Sequence, residues 1–180
     1  MNEIQLIRDQ LAAERRHASA VARACAVAAR GEFAEACVEY LVRVLAWFEE
    51  RDQRATDFAR SRPGEPAPGE ALAEALARPG RSREALEKLE RAVAGGSQAA
   101  ASDPSPLWQD FARYFDGVWS TRRDAIDARL AEQLRPAQWR TVAGIDADSI
   151  LEERRRFARV RAALPAGVAL AEQAAVPAAL

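Results

Sequence analysis

Cysteine, histidine and lysine are almost missing from this chain, and each scarcity closes off a class of chemistry. Its 180 residues include two cysteines, Cys25 and Cys37, and one histidine, His17. The cysteines lack C-x-x-C spacing and sit too far along their helices to join His17, so they form no zinc-ligand set. They fall on predicted helix seams on either side of Arg30-Gly31. Two small buried thiols are expected there, and whether they approach each other stays open. A single histidine cannot supply the two Glu-x-x-His pairs of a carboxylate-bridged di-iron bundle. Nor has His17 a nucleophile at a supporting position, since Ser120 and Thr121 read as a surface or back-bonded pair. Lys88 is the only lysine, so nearly all the cations are Arg, a bias that a GC-rich bacterial genome would produce.

Other absences narrow the class further. No apolar run is long enough to cross a bilayer. The opening MNEIQLIRDQ lacks the basic and then apolar blocks of a signal peptide, so the cytoplasm is the expected location. With 26 Lys and Arg against 27 Asp and Glu, the formal net charge is −1. No global field therefore draws nucleic acid or an acidic membrane. Arg154-Arg155-Arg156, preceded by Glu152-Glu153, reads as a solvated helix face with i,i+3 and i,i+4 pairs. Neither G-x-G-x-x-G nor G-x-x-x-x-G-K-[ST] occurs, and Asp146-Ala-Asp148 is too short for a calcium loop. β-Branched residues are sparse while Ala, Leu, Arg and Glu dominate, which predicts an almost wholly helical chain.

What is present is helical periodicity. Ile4, Ile7, Leu11, Ala18, Val21, Cys25 and Ala28 recur at three-and-four spacing, and the position the seam skips is Glu14. Gly31 should end this first helix. A second seam runs through Phe33, Cys37, Leu41, Val44, Phe48, Arg51, Ala55 and Phe58, with its charged interruption at Arg51 or Asp52. So short a connection forces an antiparallel hairpin. Ser61 to Gly69 is a proline- and glycine-rich surface loop. A third helix follows Ser82 and closes at Gly95-Gly96. A fourth starts near Pro106 and carries Trp108, Phe111, Phe115, Val118/Trp119, Arg122, Ile126 and Leu130, until Arg135-Pro136 ends it. After a short turn around Trp139, Asp146 or Asp148 caps a last helix that Pro165 stops. The expected fold is all-α: an up-down-up-down four-helix bundle with an additional C-terminal helix packed outside it. Residues 1–165 form the single domain, and the Ala-rich tail, 166–180, is mobile or loosely docked.

The three seam interruptions converge if the helices pair about Gly31. Glu14 and Arg51 then lie close to one layer, and Arg122 joins it if the fourth helix runs beside the second in the same direction, so that Glu14, His17, Arg51 and Arg122 form a polar cluster floored by Trp47, Phe115 and Trp119. Three readings are open: long side chains reaching water from the seam's edge, a structural buried ion pair, and a pocket for a small anion or other ligand. Glu14-x-x-His17 also has the spacing of two ligands on one helix face, so Glu14 and His17 are the weak metal candidates, with Asp52 or Asp116 to complete a mononuclear site.

A resemblance adds to this. Phe111-Ala-Arg-Tyr-Phe-Asp-Gly-Val-Trp-Ser-Thr-Arg-Arg-Asp-Ala-Ile, with the L-x-x-x-x-W segment at Leu134–Trp139, resembles the last bundle helix of hemerythrin-like (HHE cation-binding) domains. Trp47-Phe48-Glu49-Glu50 is similar to their H-F-x-x-E segment, and His17 to their first-helix histidine. The likeness implies a four-helix bundle built to hold two irons with several histidines and two bridging carboxylates. Here Trp47 and Thr121 stand where histidines are expected, and Ala125 where a carboxylate is. The expectation is a non-enzymatic bundle without a complete di-iron site and without a cofactor, acting through a protein partner or self-association. Exposed aromatics such as Trp139 and the last helix would be its contact surfaces. The alternative is an interior site for iron, another transition metal or a small anion around Glu14, His17, Arg51 and Arg122.

Overall fold

A computed structural model of the chain describes residues 3–28, 30–61, 84, 87, 90–91, 105–114 and 135–170. Among the described residues there are five helices and no strand: α1 (Glu3–Ala28), α2 (Gly31–Arg60), α3 (Ser105–Tyr114), α4 (Pro136–Ala143) and α5 (Ala147–Ala162). Residues 84, 87, 90 and 91, within the expected third helix, are helical as well. The expected fourth helix is described over Ser105–Tyr114 only, so Phe115, Trp119 and Arg122 lie outside the described residues, as do Asp116, Thr121 and Ala125.

The α1–α2 turn follows from one residue. Gly31 has φ +51°, a left-handed conformation that costs glycine little and other residues more. Across this turn Cys25 meets Cys37, and farther out Glu14 meets Arg51. Partners that draw apart in sequence as they leave the turn define an antiparallel hairpin. Alanines on α1 (Ala18, Ala22 and Ala24) bring the backbones close, and Phe33, Tyr40, Leu41, Val44 and Phe48 of α2 fill the core. Trp108 and Phe111 of α3, edge to face with centroids 6.3 Å apart, join the same core, and α3 packs chiefly on α1.

Phe157 and Val160 of α5 are buried in that core, and Glu153 is buried with them. Glu39 pairs with Arg156 and Arg159, and Arg43 with Glu152, so α5 runs antiparallel to α2. Asp146 caps it, its side chain accepting from the Ser149 N–H at 2.7 Å. That bond is the chief cause holding the Asp146 carboxyl below its ordinary range. Past Pro165 the chain turns back, and Val168 and Leu170 pack partly against the core, so the first residues of the expected tail are docked.

The expected short turn is the helix α4, begun by Pro136 in its first turn and closed by Gly144 at φ +59°. Trp139 is 1% exposed and cannot be a contact surface. Its indole packs with Val142, Ala143, Ile7, Leu11 and Ala55 in a second cluster that closes the open end of the hairpin. Pro136 therefore opens a helix that the sequence pattern does not reveal.

Candidate functional site

Two of the three carboxylates buried among the described residues, Glu14, Asp52 and Glu153, organise the interior. Glu14 of α1 is 1% exposed and Arg51 of α2 is 3% exposed. Arg51 Nη1 donates to Glu14 Oε2 at 2.6 Å, and Arg51 Nε donates to the Ala143 carbonyl at 2.7 Å. That carbonyl belongs to the last turn of α4, where intrahelical donors run out and the helix dipole presents negative charge. Arg54, one turn along α2, donates to the neighbouring Val142 carbonyl at 3.1 Å. Burial is the main cause lowering the Arg54 pKa; Glu50 opposes it and Arg51 adds to it. A Cβ at residue 144 would meet only the movable end of the Arg54 side chain, so it is the left-handed φ of +59° that favours glycine there. One guanidinium thus ties α1, α2 and α4 together. Glu14 Oε1 is buried without a hydrogen-bond partner.

Glu153 of α5 organises the second group. Tyr40 O–H donates to Glu153 Oε1 at 2.8 Å, and His17 Nδ1 lies 2.9 Å from the same oxygen. Glu153 is 1% exposed, whereas the His17 side chain is 23% exposed, so the group reaches from the core to the surface. The His17 ring stacks on Phe157 with centroids 4.0 Å apart and planes 10° apart. Tyr40 also meets Phe157 at 5.8 Å. The Tyr40 pKa is pushed well above its ordinary 10.0, first by burial, then by the Glu153 charge and hydrogen bond, and last by the Glu14 charge.

This shift makes a prediction. Above pH 10 the unfolded chain gives up the tyrosine proton while the folded protein keeps it. Stability complete below pH 10 is therefore lost as pH rises through that value toward the folded-state titration. Melting curves at successive alkaline pH should fall less steeply for Tyr40→Phe than for the parent. Equal slopes would mean that Tyr40 ionises freely in the folded protein.

The expected layer is therefore split. Glu14 and Arg51 are brought together as their seams require, but His17 turns to Glu153 instead. Trp47 is buried with Arg43 over its ring at 5.0 Å, while Phe48 is the aromatic beside Arg51, at 5.8 Å. Whether Arg122, Phe115 and Trp119 join falls outside the described residues. Glu153 and Tyr40 are the site residues that sequence reasoning missed, and Glu152-Glu153 is not a uniformly solvated pair. The signal for Glu153 exists: Ile150, Glu153, Phe157 and Val160 share three-and-four spacing, so Glu153 interrupts its seam as Glu14 does.

The described donors can be compared with the chemistry that the resemblance implies. The iron that the resemblance implies does not fit the described residues. Glu14, the nearest acidic residue to His17 in sequence, gives an oxygen to a guanidinium whose charge repels a cation, and His17 turns to Glu153 rather than to Glu14. Among the described residues no three His, Cys, Asp or Glu side chains are grouped to hold a metal ion. A small anion on Arg51 would have to compete with Glu14 at 2.6 Å. No protein-family model, no curated protein and no solved structure matches the chain.

Proposed function

We propose that the protein is a non-enzymatic helical bundle, of the up-down-up-down hemerythrin-like kind but without a working metal centre, that acts through protein–protein interaction or self-association. The observation that carries this reading is the Glu14–Arg51 pair anchored on the Ala143 carbonyl. The Arg51 guanidinium bonds to Glu14 and to the Ala143 carbonyl and so holds three helices together, a structural duty that places a fixed positive charge where a metal ion would otherwise sit. His17 holds α5 as well, through Glu153 and the stack on Phe157. No helix among the described residues is long and apolar enough to cross a membrane. The large apolar side chains left exposed for contact, among the described residues, are Leu6, Val27, Val42, Leu107 and Leu151.

Two measurements on one preparation test this. Protein purified without chelator should carry no stoichiometric transition metal, and light scattering over a concentration series should show self-association or a stable complex with a co-purified partner. One iron, manganese or zinc per chain, lost in His17→Ala, would replace this reading with the metal-binding one. A strict metal-free monomer that retains no partner would remove the association half.

A further inference from the structure

The only two thiols of the chain meet each other. Cys25 stands near the end of α1 and Cys37 near the start of α2, each six residues from Gly31. Both are buried in the main core, their thiols close enough to hydrogen-bond, and neither is in a disulfide. Buried alanines flank both, Ala24 beside Cys25 and Ala36 beside Cys37. Small neighbours let the backbones come near, as the Cα separation of under about 7 Å in a disulfide requires.

We infer that Cys25 and Cys37 are a redox-responsive pair, which a peroxide converts into a disulfide stapling α1 to α2 at the hairpin tip. One sulfur, as thiolate, attacks an oxygen of hydrogen peroxide. The O–O bond breaks, the departing hydroxide takes the thiol proton and leaves as water, and the sulfur becomes a sulfenic acid. The second sulfur displaces that hydroxyl, which leaves as a second water with the second thiol proton. Two thiols and one peroxide thus become one disulfide and two waters, the sulfurs losing two electrons and the peroxide gaining them.

The same burial that pairs the thiols also restrains them. Desolvation pushes the Cys25 thiol pKa up, and Cys37 raises it further, so the closed hairpin holds little thiolate. Access comes through the tip. Val27 is 82% exposed, and Arg30, Gly31 and Glu32 are exposed beside it. Helix ends open at lower free energy than helix centres, so oxidation follows local opening of this end and reports on it. Once formed, the cross-link closes the opening that admitted the oxidant.

The test uses the full chain under native conditions, independently of what the protein binds. Hydrogen peroxide is added, the reaction is quenched, and remaining thiols are alkylated in denaturant before intact-mass measurement. The expected product is monomeric, about 2 Da lighter than the reduced chain, and takes up alkylating agent only after reduction. Its melting temperature should rise by about 5–10 °C, and the rise should vanish with reductant. Cys25→Ser and Cys37→Ser should each remove the product. The inference is overturned if peroxide leaves both thiols alkylatable, if the product is a covalent dimer, or if the chain gains about 32 Da as a sulfinic acid. A cross-linked product that melts below the reduced protein would overturn it too, because a strained bond is not a staple.

Discussion

Glu14→Ala should lower the unfolding free energy by about 3–5 kcal/mol, a large part of the roughly 5–15 kcal/mol that holds a domain folded. The loss comes from what remains, not from the attraction removed. Arg51 is 3% exposed and an arginine does not shed its charge, so the variant buries a cation whose Nη1 has lost its acceptor. The Ala143 carbonyl still accepts from Nε, but a carbonyl dipole does not balance a full charge. Removing both charges is expected to behave differently. Glu14→Leu with Arg51→Met should recover most of the loss, because apolar groups of similar volume commonly replace a buried pair without penalty. Urea unfolding of the parent, Glu14→Leu, Arg51→Met and the double variant closes the cycle and isolates the coupling. If Glu14→Ala costs within about 0.5 kcal/mol, the pair is solvated and the interior layer is a surface feature.

Why this pair was legible, and others were not, is a matter of where the signal lies. A charge on a helix seam stands out against apolar neighbours three and four residues away, and the turn at Gly31 then indicates which interruptions face each other. Both steps use local spacing. The partner of His17 is different: it stands 136 residues away, on a helix whose docking no local pattern records. Glu153 did break a seam, but it sits among Glu152, Arg154, Arg155 and Arg156. A run of charges reads as a wet face, although helical rotation turns only one of them inward. Here Arg156 and Glu152 stay at the rim, pairing with Glu39 and Arg43, while Glu153 goes under. The α4 segment failed for another reason. Eight residues make about two turns, too few for a period to declare its buried face. Pro136 fits the end of one helix and the first turn of the next equally well. What settles its role is the apolar end of the α1–α2 hairpin, which has to be covered by something.

Trp139 is what covers it, and Trp139→Ala should cost about 3–5 kcal/mol in the same unfolding experiment. The indole fills the cluster of Ile7, Leu11, Ala55, Val142 and Ala143, and an alanine there leaves a cavity that two well-packed helices cannot close. Its Nε1–H is buried without a partner, so the hydrogen bond is not what would be lost. Trp139→Phe, which keeps a large ring and drops that donor, should therefore retain most of the stability. The effect reaches the polar layer because α4 carries both carbonyls that Arg51 and Arg54 use. Loosening α4 removes one of the two acceptors that hold the Arg51 guanidinium. Trp139→Ala and Glu14→Ala together should consequently lose less than the sum of their separate losses, since the second variant acts on an arginine already partly released. Strict additivity would mean that α4 stays docked without its tryptophan, and that the ion pair stands on α1 and α2 alone.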